Sequence, residues 1–403
     1  MDYLVIARKY RPQTFADVAG QEVVARTLTN AIRSNRVAHA YLFTGPRGVG
    51  KTSMARILAK ALACEQGPTT EPCGICRHCM MISDSSHPDV VEIDAARFNG
   101  VEAIRDLSDS ASFSPSLSRL RIYILDEVHM LSNAAWNALL KLLEEPPAHV
   151  RFIFATTEVD KVLPTVLSRC QRFDFRSISL DDIVTRLRDI AGKEGATLSD
   201  PVLFRIARAA GGGMRDAQTL LDQLIAVSEG GAAGEVSESD LNVLLGAARG
   251  EDLAELVTEL LAGRSAQAIE ALERTSAAGV APATLLEQLI DHVRAIMLFQ
   301  ACGPESTALR RLGADPATVA AHAAACTADK ALRICQLLIG SQQALRQGVD
   351  PRLQLELVSV RIANLGQLVD VENLLRKLER LEGAPPVAPF GQAGSGQAGS
   401  PRP

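Results

Sequence analysis

Residues 45–52 read Gly45-Pro46-Arg47-Gly48-Val49-Gly50-Lys51-Thr52: a glycine, four free positions, then Gly-Lys-Thr. The apolar run His39–Thr44 precedes this stretch and a helix-like run, Ser53–Ala63, follows it. That is the strand–loop–helix context in which the pattern binds phosphate. Glycines let successive backbone N–H groups curl around an anion, and the helix N-terminus adds the positive end of its dipole. Lys51 then supplies a point charge to the β and γ phosphates, and Thr52 a hydroxyl ligand for Mg²⁺. The expected ligand is ATP with Mg²⁺, and residues 45–52 with Ser53 are its expected contacts. A flexible glycine turn is the plain alternative, but it has no need of the flanking strand and helix.

Outward from the loop, four short apolar runs alternate with helix-like stretches: His39–Thr44, Val90–Ile93, Arg121–Leu125 and Arg151–Ala155. This is the pattern of a parallel α/β sheet, whose ligand sites lie at the carboxyl ends of the strands. The third run ends in Asp126-Glu127. Asp126 can hold the magnesium shell, and Glu127, one residue on, can polarise an attacking water. Thr156-Thr157, closing the fourth run, offers a hydroxyl to position that water. Two arginines could neutralise transition-state charge: Arg169 in Ser168-Arg169-Cys170 and Arg215 in Gly213-Met214-Arg215-Asp216. An ordinary surface charge is the competing reading of each.

Four of the eight cysteines crowd together as Cys64, Cys73, Cys76 and Cys79, with eight, two and two intervening residues. Four thiolates on a tight loop suit tetrahedral Zn²⁺ in a closed structural site. A redox pair at Cys73 and Cys76 competes with this, and free thiols come third. Cys170, Cys302, Cys326 and Cys335 are expected as buried packing residues.

The remainder is helical. Asp181–Glu194, Pro201–Ala210, Arg215–Glu229 and Glu238–Leu245 are candidate helices of a small domain, with Ser237 or Ser239 as a cap. The Gly-Ala-rich stretch Gly230–Gly234 interrupts them. Residues 250–381 carry apolar stripes at helical spacing. Leu285, Leu286, Leu289, Ile290, Val293, Ile296 and Met297 form one, and Leu332, Cys335, Leu338 and Ile339 another; both are read as bundle core. The Pro-Gly-Ala-Ser-Gln composition after Glu382 reads as a flexible tail. A chain of 403 residues suggests two or three domains, and 47% apolar with 22% charged residues supports a substantial core. Its net charge of −5 weighs against indiscriminate coating of DNA. No signal peptide is expected, nor a membrane span, since Glu287, Asp291 and Arg294 interrupt the greasiest run; a soluble, cytoplasmic protein is expected.

The P-loop, Asp-Glu-Val-His, Ala-Thr-Thr-Glu, Ser-Arg-Cys and Met-Arg-Asp-Ala, in this order, resemble the AAA+ clamp-loader ATPases. The opening residues 7–12 and 15–21, and Leu142-Leu143-Glu144-Glu145-Pro146-Pro147, are similar to the gamma/tau-type subunits of bacterial DNA polymerase III. The resemblance is dense over residues 4–225 and weaker beyond. It implies an α/β P-loop domain at 1–178 with a zinc module at 64–79, a helical lid at 179–245, an all-α collar at 246–382 and a tail at 383–403. It further implies that Thr157 is a first sensor, Arg215 a second sensor on the same subunit's nucleotide, and Arg169 a finger acting on a neighbour's. Ala7, Tyr10, Pro12 and Val18 would lie near the adenine, and Arg97, Asn99 and Arg105 would face DNA. Three glycines, Gly211–Gly213, stand where the family commonly has a small polar residue before Met214, removing a possible cap. Implied partners are delta- and delta-prime-type subunits and further copies of the chain in a pentameric ring, a sliding clamp, and primed DNA in a nucleoid-associated replisome. Polymerase and helicase would join only in longer forms, and no polymerase site is present in the sequence. The alternatives are another AAA+ DNA remodeller and an ATP-gated replisome scaffold.

Overall fold

The strand before the phosphate loop, β1 (Ala40–Thr44), is buried at every residue, as a central parallel strand covered on both faces must be. The computed structural model describes residues 4–98, 100–227, 235–236, 238–312 and 315–366. Asn99, Gly230–Gly234, Ser237 and the expected tail lie outside them. With β2 (Val90–Asp94), β3 (Arg121–Asp126), β4 (Val150–Thr156) and β5 (Gln171–Asp174), β1 forms a parallel sheet in the order β2-β3-β4-β1-β5. Registers pair Thr44 with Thr156 and Asp94 with Asp126, so the polar carboxyl ends of four strands share one edge. Four strands fall where the apolar runs indicate. The fifth carries one buried residue, Phe173, among exposed polar ones and sits at the sheet edge beside β1.

Alternation along the strands divides the core into two layers. Tyr41, Phe43, Ile122, Ile124 and Ile153 pack against the helices Glu22–Arg33 and Lys51–Ala63. Leu42, Tyr123, Leu125, Phe152 and Phe154 pack against Val101–Ala111 and Asn133–Glu144. The phosphate-loop helix is thus fixed by its buried face, with Met54, Ile57, Leu58 and Leu62 nearly inaccessible. Past the sheet, Leu180–Glu194, Asp200–Ala209, Met214–Val227 and Glu238–Leu245 are helical. Ile183, Leu187, Leu203, Ile206 and Leu221 form their common core.

The chain divides into two compact units, Met1–Arg249 with Arg294–Ala321, and Gly250–Val293 with His322–Pro403. In the second, the helices Gly250–Ala262, Ser265–Ala277, Ala328–Arg346 and Pro351–Ala363 bury Leu256, Leu260, Leu272, Leu338, Leu355 and Ile362. Leu285, Leu286, Leu289 and Val293 are core, as their spacing suggests. The stripe expected through Leu332 and Ile339 is displaced: both are exposed, and the buried face of Ala328–Arg346 runs through Ala331, Ile334, Leu338 and Ser341. Ala331 and Ser341 complete an i, i+3, i+7, i+10 face that hydrophobicity alone hides. Cys326 is buried as expected and Cys170 and Cys335 are half-buried, but Cys302, the last residue of Pro282–Cys302, is exposed.

Candidate functional site

The loop between β1 and the helix Lys51–Ala63 turns on glycines. At Gly45 (φ +143°) a Cβ would lie 2.3 Å from the Phe175 carbonyl oxygen, so no side chain fits. Lys51 Nζ donates to the Gly45 and Pro46 carbonyls at 2.8 and 2.7 Å. Burial holds the Lys51 ammonium below its ordinary range, against the opposing pull of Glu127 and Asp126. Thr52 Oγ1 donates to Asp126 Oδ2 at 2.7 Å, so the two expected magnesium ligands already share one position. The fit to Mg²⁺ rests on this pair of hard oxygens next to a phosphate loop.

Glu127 sits in left-handed backbone (φ +48°), which swings its carboxylate toward β4. There Glu127 Oε2 accepts from the Thr157 N–H at 3.2 Å and the Thr157 hydroxyl at 3.1 Å. The expected water-polarising acid and the expected first sensor are therefore in direct contact.

A cavity of about 690 Å³ opens over the loop. Ala7, Tyr10, Pro12 and Val18 line it, as do Gly48, Lys51, Thr52, Ser53, Asp126, Glu127 and Arg215. Arg215 arrives because the lid presses on the loop: its N–H donates to the Gly48 carbonyl at 3.3 Å. Sequence reasoning missed Arg11, which also lines the cavity. Burial, then the nearby Arg56, push its guanidinium below its ordinary range, and Arg215 adds to this. Its place between Tyr10 and Pro12, already implicated, is the signal that was available. Cationic Lys51, Arg11 and Arg215 around one cavity suit a polyanion such as a nucleoside triphosphate.

Arg169 is elsewhere. It is not among the described residues lining the cavity; its guanidinium donates to Glu144 Oε1 at 2.8 Å and to the Thr165 carbonyl at 2.7 Å. Arg97 and Arg105 are exposed, and Arg97 lies 3.7 Å from Asp94 within the same turn.

The four clustered cysteines converge. Their sulfurs all lie within 4.8 Å of one another, with Cys64–Cys73 at 3.6 Å and Cys64–Cys76 at 4.0 Å. Tetrahedral Zn–S bonds of about 2.3 Å put sulfurs about 3.8 Å apart, so the donor set fits that ion. Cys64 closes the phosphate-loop helix, Cys76 caps Arg77–Ser83, and Cys79 lies inside it. Cys73 Sγ accepts from the Cys76 N–H at 3.3 Å, and backbone donors from Cys76 and Ile75 pull its thiol down to about 7. Burial pushes Cys79 the other way. Arg119 braces the loop by donating to the Cys64 carbonyl at 2.8 Å.

Sheet order, phosphate loop, acidic strand end and an arginine-bearing helical lid together define a P-loop ATPase module of the AAA+ class. Family models narrow that class. Residues 20–179 match that of the DNA polymerase III delta subunit, 182–230 the ATPase lid domain of the DNA polymerase III clamp loader subunit, and 236–378 domain III of subunits gamma and tau. The tau subunit of Bacillus subtilis is 40% identical over 388 residues, covering 95% of this chain and 68% of that protein. The Escherichia coli tau subunit is 42% identical over 300 residues, covering 74% and 46%. The chain belongs to the DNA polymerase III gamma/tau family, and it spans about two thirds of the first relative and about half of the second. A likeness to the RuvB branch migration motor of Thermotoga maritima (TM-score 0.44, 16% identity, 62% and 79% coverage) carries no argument about function. No described helix is long and apolar enough to cross a membrane.

Proposed function

We propose that this chain is the ATP-hydrolysing motor of a bacterial clamp loader, which opens a sliding clamp and sets it on primed DNA. One observation carries the reading: Lys51, the Thr52–Asp126 pair, Glu127 and Arg215 converge on one cavity, while Arg169 lies outside it. In this account Lys51 and the loop amides hold the β and γ phosphates. Thr52 and Asp126 would hold Mg²⁺, which when bound would neutralise charge on the phosphates. Glu127, released from Thr157, takes a proton from the attacking water while Thr157 orients it. Arg215 meets the γ phosphate from the lid. Arg169 leaves Glu144 to reach the nucleotide of the next subunit, so hydrolysis waits on ring assembly.

The division at 1–178, 179–245, 246–382 and 383–403 serves this cycle, with the last helical part as the oligomerising collar. Delta- and delta-prime-type subunits and further copies of the chain complete the ring. Zn²⁺ held by Cys64, Cys73, Cys76 and Cys79 would brace the far end of the phosphate-loop helix, with no open coordination position. Arg97 and Arg105 would touch DNA phosphates and so read no base sequence. The test is ATP turnover by the chain reconstituted with delta-type partners, before and after clamp and primed DNA are added. Strong stimulation that disappears in Lys51→Ala is expected. Flat turnover in fully assembled complexes would favour the scaffold reading.

A further inference from the structure

His129 follows Glu127 by two residues, in the short 3-10 turn Val128–Met130 that closes β3. Its side chain is only 8% exposed, yet both ring nitrogens face acceptors. Nδ1 lies 3.0 Å from Thr156 Oγ1 and 3.4 Å from Glu127 Oε2, while Nε2 lies 3.3 Å from Glu158 Oε1. Thr156 Oγ1 in turn donates to the Glu158 carbonyl at 3.2 Å and accepts from the Glu158 N–H at 3.0 Å. The imidazole therefore joins the turn carrying Glu127 to the turn after β4 that carries Thr157 and Glu158.

We infer that His129 is a positioning residue for ATP hydrolysis, fixing the Glu127 carboxylate against the β4 turn and setting how readily it swings to the water; this rests on the motor reading above. Three features favour that role over plain core packing. Both ring nitrogens meet oxygens, so the orientation of the imidazole is fixed. The oxygens belong to residues flanking the sensor Thr157. And Glu127 Oε2, the atom beside His129, is the same atom that Thr157 holds. Without the imidazole, Glu127 keeps its Thr157 contacts but loses the lateral restraint that aims it, and a catalytic group displaced by an ångström loses much of its rate.

The experiment is steady-state ATP turnover in the reconstituted complex, with MgATP affinity and thermal stability measured on the same proteins. His129→Ala is expected to lower kcat by about tenfold or more with KM and affinity unchanged. His129→Asn, whose amide nitrogen can take the place of Nδ1, should recover part of that loss. Glu158→Gln, at a half-exposed carboxylate that tolerates change, should lower kcat by a few-fold with the fold intact. Wild-type kcat in His129→Ala overturns the inference. So does a loss that follows affinity and melting temperature in every variant without recovery in His129→Asn, since that marks a structural residue only. An inert wild-type complex overturns the motor reading, and this inference with it.

Discussion

The two compact units each hold a cluster of polar side chains, and the two clusters find their partners differently. In the first, Lys51, Arg11, Arg215, Asp126 and Glu127 surround a cavity of about 690 Å³, and burial works against the charges of Lys51 and Arg11. In the second, His292 Nε2 meets His322 Nδ1 at 2.8 Å, His322 Nε2 meets Thr258 Oγ1 at 3.0 Å, and Thr258 donates to the Ala254 carbonyl at 2.8 Å. One set of polar groups looks to a ligand for its complement, and the other is completed from within. An exchangeable nucleotide requires the first arrangement, and a self-contained helical core the second.

Acid should break the second unit first. Burial, reinforced by His322, pulls His292 down to about 4, and burial also lowers His322. The unfolded chain takes up a proton near the ordinary value of about 6.5 while the folded one does not. The contribution is therefore complete above that value, falls as pH drops toward about 4, and levels off below it. His292 accounts for about 3 kcal/mol at the lower end. Hydrogen exchange across this window should show helices of the second unit opening first, and His292→Gln should flatten the dependence.

Nucleotide should sharpen the contrast from the other side. MgATP at 100 times its dissociation constant stabilises what it binds by about 2.7 kcal/mol. Exchange protection should rise in peptides of the first unit, around 45–60 and 214–220. Peptides from Ser265–Ala277 and Pro351–Ala363 in the isolated chain should stay as they were. Equal protection in both units would erase the distinction.

A smaller effect is expected within the first unit. A Cβ on Gly213 would lie 2.9 Å from Asp216 Oδ2 and 3.1 Å from the Arg47 carbonyl oxygen, whereas one on Gly192 meets nothing within 4 Å. Gly213→Ala should cost about 1–2 kcal/mol and weaken nucleotide binding by lifting the lid from the loop. Gly192→Ala should be neutral or slightly stabilising in chemical denaturation. The same contact explains why glycine replaces a capping residue before Met214: at Gly213 the loop backbone occupies the space a side chain would need.

What the sequence made legible follows the range of its forces. Residues 45–52, Asp126-Glu127 and the cysteine spacing are local patterns, and each forms a local constellation in the structure. β1 to β4 are legible because strands covered on both faces must be apolar throughout. β5 is not, because an edge strand with Arg172 and Asp174 facing out loses that run. Arg11 and His129 escaped for a different reason. Their importance comes from what tertiary packing sets beside them: Arg215 and Glu92 for one, Thr156 and Glu158 for the other. The exposed Leu332 and Ile339 teach the same lesson, since a helical stripe does not say which face meets the bundle.

The division of labour between Arg215 and Arg169 is the centre of the account, and one pair of measurements tests it most directly. ATP turnover of the assembled complex and MgATP affinity of the isolated chain should be determined for Arg169→Ala. Turnover should fall by about 10³-fold, as for an arginine supplied in trans, with affinity unchanged. Wild-type turnover would return Arg169 to an ordinary surface pair with Glu144, and affinity falling in step with turnover would place it in its own subunit's site; either contradicts the account.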